Sequence, residues 1–145
     1  VQVVVQPQSI IHSMVEYEDG AVIAQLGTPD MRLPIQYALY YPERRYLPGD
    51  RLDFWKLSQT TFEKPDLENF HGLALAYEAG RRGGSLPTVF NAANEYAVAK
   101  FLNREISYLE ITDMIQKAME NHKVIDDPTV EQILETEREV DELLR

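Results

Sequence analysis

The pair Asp19-Gly20 lies between two stretches in which apolar and polar residues alternate, and it constrains the fold of this chain more than any other feature. Asp-Gly in this setting is the strongest short-range signal for a β-hairpin. A two-residue loop there predicts three cross-strand pairs on one face: Tyr17–Val22, Val15–Ala24 and Ser13–Leu26. This face is almost wholly apolar, so we expect it to lie on a core. The opposite face is mixed and suits a partner sheet, a cleft or solvent.

The open end of the predicted hairpin is the first place to look for a binding site. Its register brings Ser9 beside the turn-prone segment Gly27–Met31. His12 lies at the same end of the mixed face, where a structural role is more common than a functional one. The other histidines, His71 and His122, are distant in sequence, and no metal-ligand spacing is present. The chain alone is therefore not expected to hold a metal.

Composition limits the partners and the compartment. The chain has 145 residues and a net charge of −10, which argues against nucleic acid. Residues 105–145 hold twelve acidic and four basic residues, as in a solvated helical face. No apolar run is long enough to span a membrane, and the absence of cysteine favours a reducing, cytoplasmic compartment. Because the chain starts inside a β-branched run, we expect it to be part of a longer polypeptide.

The first third of the chain predicts short elements around the hairpin. Val1–Val5 reads as a strand buried on both faces. A helix is expected to start near Leu33, because Pro34 is tolerated only in a first turn, and to end at Pro42. Residues 42–65 are rich in proline and charge and read as a linker, in which Leu57–Phe62 could form a short strand.

From Asp66 onward the sequence predicts four amphipathic helices. The first covers Leu73–Ala79, and the second starts at Ser85-Leu86-Pro87. The third ends near Asn121 and could start after Ser107 or Thr112; the fourth follows Pro128 and could break near Glu135. The buried stripes expected on the second and third helices comprise Phe90, Ala93, Ala97, Phe101 and Leu102, then Ile111, Met114, Ile115, Ala118 and Met119.

These patterns predict an α+β fold in three parts. Residues 1–41 form a short hairpin sheet with a helix, residues 42–65 a linker, and residues 66–145 a small four-helix bundle. In the second helix, the sequence Asn91-Ala92-Ala93-Asn94-Glu95 places two poor helix formers early in the element. We expect these asparagines to bond a loop or a neighbouring helix rather than a ligand.

Three strings carry a resemblance to a known family: Pro-Gln-Ser-Ile-Ile-His-Ser-Met at 7–14, Ala-Gln-Leu-Gly-Thr-Pro-Asp-Met-Arg-Leu-Pro-Ile at 24–35 and Asn-Ala-Ala-Asn-Glu at 91–95. Together they resemble the C-terminal portion of 1-deoxy-D-xylulose-5-phosphate reductoisomerases, enzymes of the non-mevalonate isoprenoid pathway. The family usually has histidine where this chain has Gln6. The resemblance runs nearly end to end and weakens only after about Asn121.

The resemblance implies a metal-assisted rearrangement of a sugar phosphate followed by reduction with NADPH. The family's Asp-Ser-Glu and Met-Asn-Lys-Gly-Leu-Glu strings, which hold the divalent metal (Mg or Mn) and the substrate phosphate, do not occur here. Residues 1–41 would be the end of the central catalytic and dimerisation domain. Carried over by position, Ser9, His12, Pro29 and Met31 would line the substrate pocket near a mobile flap and the nicotinamide.

The resemblance also implies a homodimer formed through the hairpin sheet, which would explain the mixed second face. On this interpretation the 145 residues are catalytically inert alone, with no catalytic residue, NADPH or metal of their own. The alternative is a stand-alone dimerisation or interaction module that has this fold without the chemistry.

Overall fold

The computed structural model describes all 145 residues and contains one two-stranded antiparallel sheet and six helices. The mixed α and β composition expected from the sequence is confirmed. The chain divides into two compact units, Val1–Pro65 and Asp66–Arg145. The elements in chain order are β1 (Ile11–Glu16), β2 (Val22–Leu26), α1 (Arg32–Tyr40), α2 (Phe54–Leu57), α3 (Gly72–Arg82), α4 (Leu86–Leu102), α5 (Tyr108–Asn121) and α6 (Val130–Leu144). No helix is long and apolar enough to cross a membrane.

The hairpin is present, but its predicted register is wrong by one residue. Val15 pairs with Ile23 rather than with Ala24, and the Tyr17 N–H donates to the carbonyl of Ala21. The loop therefore has three residues, of which Gly20 takes a positive φ of 84°. This is a common hairpin form, in which a glycine in the left-handed region closes a turn. A slip of one residue changes which side chains meet across the strands, so the predicted apolar face does not form.

Burial in the hairpin also differs from the prediction. No residue of β1 or β2 is buried, and Val15 and Ile23 are more than half exposed. The run Val1–Val5 was expected to be a strand buried on both faces, and this prediction is wrong as well. It forms a single β-bridge, between Val5 and Glu63, and its valines are exposed. Both segments have the composition of buried strands, but these 145 residues provide nothing to cover them.

Helix α1 begins one residue before the predicted position and ends before Pro42. Pro34 occupies its first turn, where the missing N–H removes no helical hydrogen bond. The segment after α1 folds back on it through two cation–π contacts: the Arg44 guanidinium lies 3.6 Å from the centre of the Tyr37 ring, and that of Arg45 lies 4.0 Å from the Tyr40 ring.

Residues 42–65 contain one short helix and no strand beyond the Val5–Glu63 bridge. Asp53 begins α2 by accepting hydrogen bonds from the N–H groups of Trp55 and Lys56. The short strand expected over Leu57–Phe62 is absent. The assignment of these residues to a linker between domains stays a prediction.

The four helices of Asp66–Arg145 share one hydrophobic core. Helix α4 packs against α3, α5 and α6, and Val89, Ala93 and Ala97 on it are completely buried. The third predicted helix starts after Ser107, whose N–H donates to Glu110, and α6 runs unbroken past Glu135. The start after Thr112 and the break near Glu135 therefore do not occur.

The predicted core stripes of α4 and α5 are correct in part. Ile115, Ala118 and Met119 of α5 are buried, and Ile111, Met114 and Phe90 pack against the core. Phe101 and Leu102 were expected to be buried on α4, but they are exposed. They belong to the last turn of α4, where the Phe101 ring lies edge-on to the ring of Tyr108 at the start of α5.

Ser85 fixes the connection between α5 and α6 to the start of α4. Its side-chain oxygen accepts from the N–H of Ile125 and lies 2.7 Å from Nε2 of His122. The Ser85 N–H donates in turn to the carbonyl of Ile125. Gly84 has a φ of 60°, and a Cβ there would lie 2.3 Å from that carbonyl oxygen. His122 is thus part of a hydrogen-bonded junction.

Candidate pocket wall

Ser9, His12, Pro29 and Met31 line the same cavity, which lies within the unit Val1–Pro65 and has a volume of about 310 Å³. We call these four residues the pocket wall. The other lining residues are Gln25, Thr28, Asp30, Leu33 and Pro34. The structure therefore brings together all four residues that were selected from the sequence. Their role in binding a substrate stays a prediction.

Ser9 enters the pocket wall from a tight turn. Its N–H donates to the carbonyl of Gln6, and its φ of 53° lies in the left-handed region. That region is disfavoured for residues that carry a Cβ, so the conformation must be held by its surroundings. The carboxamide oxygen of Gln6 accepts hydrogen bonds from the N–H groups of Ile10 and Ile11, which follow Ser9 directly.

His12 lies at an irregularity of β1. The strand pairing shifts between Ile11 and Ser13, which leaves His12 as the extra residue of a β-bulge. Its Nε2 is 3.1 Å from the carbonyl oxygen of Gly27, and because a carbonyl can only accept, Nε2 carries the proton. This bond connects β1 to the loop after β2, so His12 stabilises the pocket wall as well as lining it.

Asp30 holds the loop in place between Gly27 and α1. Its carboxylate accepts from the backbone N–H of Arg32 and from the Arg32 guanidinium, with the closest ion-pair distance 2.7 Å. The hydrogen bonds from the Arg32 side chain hold the pKa of Asp30 below its ordinary value. Because the carboxylate also lies at the positive end of α1, the start of this helix is fixed locally.

Sequence reasoning missed three polar groups that shape this cavity: Gln6, Asp30 and Arg32. The spacing Asp-x-Arg directly before a helix is a usable signal, since Asp favours the N-terminus of a helix. No comparable signal exists for Gln6, because its bonds depend on the conformation of the turn that it closes. Gln25 and Thr28 also line the cavity and were not selected.

The chemistry available in this cavity is limited. Asp30 is the only carboxylate and His12 the only imidazole in its lining. The structure contains no group of three or more His, Cys, Asp or Glu side chains that could hold a metal. Pro29, Met31 and Leu33 add apolar surface. These residues do not fit a divalent metal, and the arrangement suits binding and exclusion of water rather than acid–base or metal chemistry.

Asn91 and Asn94 of α4 were expected to bond a loop or a neighbouring helix. The structure shows no side-chain hydrogen bond from either residue: Asn91 is exposed and Asn94 is half-buried. The expectation is therefore wrong within this chain. Asn91 borders a shallow groove with Ile133 and Glu137 of α6.

Comparison with known proteins identifies the family. Residues 26–143 match the family model described as the DXP reductoisomerase C-terminal domain. The 1-deoxy-D-xylulose 5-phosphate reductoisomerase of Lachnoclostridium phytofermentans is 69% identical over 140 residues, which cover 96% of this chain and 36% of that protein. The enzyme of Lachnospira eligens is 66% identical over 144 residues, covering 99% of this chain and 38% of that protein.

Solved structures agree with the sequence comparison. The reductoisomerase of Zymomonas mobilis in complex with NADPH superposes with a TM-score of 0.89 at 43% identity, covering 99% of this chain and 38% of that one. A reductoisomerase in complex with NADPH, fosmidomycin and magnesium gives a TM-score of 0.90 at 37% identity, covering 97% and 37%. The chain thus spans a little over a third of the length of these relatives, and it belongs to the 1-deoxy-D-xylulose 5-phosphate reductoisomerase family as a C-terminal portion.

Proposed function

We propose that this chain supplies one wall of the sugar-phosphate pocket in an enzyme that converts 1-deoxy-D-xylulose 5-phosphate to 2-C-methyl-D-erythritol 4-phosphate. The observation that supports this most directly is the cavity that Ser9, His12, Pro29 and Met31 line together. The family resemblance implies these four positions for the substrate pocket, and the antiparallel hairpin brings Ser9 and His12 beside Pro29 and Met31.

The pocket wall binds and orients the substrate and does not itself carry out the chemistry. Met31 is largely exposed, so apolar surface is available to a ligand or to a segment that closes over it. The Ser9 hydroxyl makes no hydrogen bond within the chain and can therefore bond a polar group of the substrate. Closing an apolar surface over a reacting carbonyl also excludes water from it.

NADPH and a divalent metal (Mg or Mn) belong to the complete enzyme and are held by polypeptide outside these residues. NADPH and magnesium are named in solved relatives, whereas the residues here do not fit a metal. When bound, the metal supplies Lewis-acid polarisation of the adjacent substrate oxygens, and the nicotinamide supplies the hydride. We therefore expect the 145-residue chain alone to be inactive.

We further propose that the hairpin sheet forms a homodimer. Val15, Val22 and Ile23 are more than half exposed, and a two-stranded sheet with uncovered apolar side chains is marginal in water. Within this enzyme, residues 1–41 end the catalytic and dimerisation domain, residues 42–65 link it onward, and residues 66–145 form a C-terminal four-helix bundle around α4. The absence of cysteine is consistent with a cytoplasmic enzyme.

A chimeric enzyme tests the proposal. The chain replaces the matching 36% of the Lachnoclostridium phytofermentans relative, which keeps the rest of its own polypeptide. With 1-deoxy-D-xylulose 5-phosphate and magnesium present, the chimera is expected to oxidise NADPH. The same relative without its C-terminal portion is the control and should be inactive. A folded but inactive chimera would contradict the proposal and favour the non-catalytic interaction module.

The isolated chain gives the complementary measurement. Under the same assay conditions it should show no NADPH oxidation above the rate without protein. Activity of the isolated chain would mean that the metal and hydride chemistry is carried by these residues after all. Sedimentation of the chimera with Ile23→Lys tests the dimer, because a lysine on the exposed face should shift the population toward monomer.

A further inference from the structure

We propose that Gln6 is a positioning residue whose side chain holds Ser9 in its left-handed conformation on the pocket wall. This inference rests on the proposed function, because the position of Ser9 affects turnover only if the cavity binds substrate. Gln6 does not line that cavity, so it acts through Ser9 and not by contact with the ligand.

The hydrogen bonds of Gln6 surround Ser9 on both sides in sequence. Its backbone carbonyl accepts from the Ser9 N–H at 3.0 Å. Its carboxamide oxygen accepts from the N–H groups of Ile10 at 2.8 Å and Ile11 at 3.3 Å. One residue therefore fixes the main chain immediately before and immediately after Ser9, and a rotation of Ser9 would break at least one of these bonds.

Ser9 needs such support because its backbone is strained. A φ of 53° brings Cβ of an L-residue close to neighbouring carbonyl groups, which is unfavourable. Strain of this kind persists only where the surroundings hold it, and it is concentrated at binding sites. The Ser9 side chain makes no hydrogen bond that could stabilise the turn. The stabilisation comes from Gln6.

A second set of bonds orients the Gln6 carboxamide. Its nitrogen donates to the side-chain oxygen of Gln8, which leaves the Gln6 oxygen facing the two amides. The Gln8 side chain pairs with Thr61: its nitrogen donates to Oγ1 at 3.0 Å, and its oxygen accepts from the Thr61 N–H at 3.2 Å. Thr61 lies two residues before Glu63, which bridges to Val5. The turn is therefore attached to a second segment of the chain.

Three variants of the chimeric enzyme separate positioning from other effects. Gln6→Met has nearly the same size but lacks the carbonyl that accepts from Ile10 and Ile11. Gln6→Glu keeps an acceptor oxygen for Ile10 and Ile11 at the same distance along the side chain but cannot donate to Gln8. Gln2→Met makes the same change in the same segment, at an exposed side chain that has no hydrogen bond. Each is measured by amide hydrogen exchange over residues 9–11 and by steady-state kinetics.

The expected result is specific to Gln6. In Gln6→Met, amide exchange over residues 9–11 accelerates and KM for the sugar phosphate rises, each about tenfold, because the side chain no longer accepts from Ile10 and Ile11. The kcat changes less than KM does, and KM for NADPH stays at its original value. Gln6→Glu exchanges more slowly over residues 9–11 than Gln6→Met does, because it keeps the acceptor and loses only the donor to Gln8. Gln2→Met matches the unsubstituted protein in every measurement.

Two results would overturn the positioning role. Unchanged exchange over residues 9–11 in Gln6→Met would show that Ser9 does not depend on the carboxamide, whether or not the chimera is active. Faster exchange with unchanged kinetics would show that the bond is structural only. An unsubstituted chimera that is folded but inactive contradicts the proposed function instead, and in that case the exchange measurement alone decides whether Gln6 holds Ser9.

Discussion

The unit Asp66–Arg145 buries fourteen residues around α4, whereas the unit Val1–Pro65 buries only Gly27. The helical unit is thus held by a hydrophobic core, and its surface is charged. The other unit is held by a hairpin ladder, side-chain hydrogen bonds and cation–π contacts, and it exposes large apolar side chains, including Trp55 at 95%. The candidate pocket lies in the unit without a core. Under the proposed function, this unit would therefore need further polypeptide to cover its apolar surface.

The largest expected effect comes from preparing the two units as separate chains, because only one of them has a hydrophobic core. Residues 66–145 alone are expected to unfold in one cooperative thermal transition, because they retain the whole of their core. Residues 1–65 alone should show no cooperative transition, because an isolated two-stranded sheet is marginal in water. Far-UV circular dichroism on heating measures both. A sharp transition in 1–65 would contradict the view that this unit needs cover.

Alanine at two neighbouring glycines measures how tightly the helical unit is packed. Gly83 and Gly84 both have positive φ, but only at Gly84 would a Cβ meet backbone, 2.3 Å from the Ile125 carbonyl oxygen. Gly84→Ala should lower the free energy of unfolding by about 3 kcal/mol, from left-handed strain plus overpacking. Gly83→Ala has open space, but the backbone of Gly83, with φ 67° and ψ −152°, lies in a region that is essentially restricted to glycine, so the substitution should cost about 2 kcal/mol from strain alone. Urea unfolding gives both values.

Equal losses at Gly83 and Gly84 would mean that the connection carrying Ile125 moves away at little cost. The junction made by Ser85, His122 and Ile125 would then be loose, and the contrast between the two units would be smaller than the burial indicates. A larger loss at Gly84 supports a rigid junction.

Substitution of Met31 should change function without changing stability, whereas the glycine substitutions should change stability. Met31 and Leu102 are each 72% exposed, one on the pocket wall and the other on α4. Met31→Ala in the chimera should reduce kcat/KM about tenfold, from lost apolar contact with the ligand. Leu102→Ala should leave the kinetics unchanged. Both should alter the free energy of unfolding by less than about 0.5 kcal/mol, as exposed substitutions do.

Equal effects of Met31→Ala and Leu102→Ala on kcat/KM would remove Met31 from the pocket wall. A fall in melting temperature in Met31→Ala with unchanged kinetics would instead assign Met31 to packing, and the cavity would lose its functional interpretation.

The same contrast explains what could be predicted from the sequence. Helix ends depend on local signals, so Pro34 predicted the start of α1 and Pro128 predicted the start of α6. The hairpin pair was also local, but Asp19-Gly20 fits a two-residue or a three-residue loop, and the pattern does not distinguish them. The register of the hairpin was therefore predicted incorrectly.

Burial was predicted well only where the covering residues lie in the same chain. Ile115 and Ala118 alternate with polar residues and face α4, so periodicity located them. Val3 and Val15 also lie in segments with apolar residues, but they are exposed, because a sequence pattern does not say whether the same chain supplies residues to cover it. The family resemblance indicated the pocket wall residues, and the Asp-x-Arg spacing could have indicated Asp30, whereas the role of Gln6 depends on the geometry of the turn that it closes.

The smallest expected effect is the pH-dependent stability that two carboxylates contribute, one in each unit. Hydrogen bonds from Arg32 hold the pKa of Asp30 below its ordinary value, and the backbone N–H of Ser107 does the same for Glu110. A lowered folded pKa adds stability above the unfolded value, and that stability is lost as the pH falls through the folded one. Both contributions should therefore disappear only under acidic conditions, below about pH 4.

Salt should distinguish these two carboxylates, because Asp30 has a charged partner and Glu110 has a backbone amide. About 1 M NaCl shortens the screening length to about 3 Å, so the pKa of the half-buried Asp30 should move toward its ordinary value while that of Glu110 moves less. Carbon-13 NMR of the carboxyl groups in the 145-residue chain follows both. An ordinary pKa for Asp30 at low salt, with Glu110 still lowered, would show that the start of α1 also needs the cover that the chain does not supply.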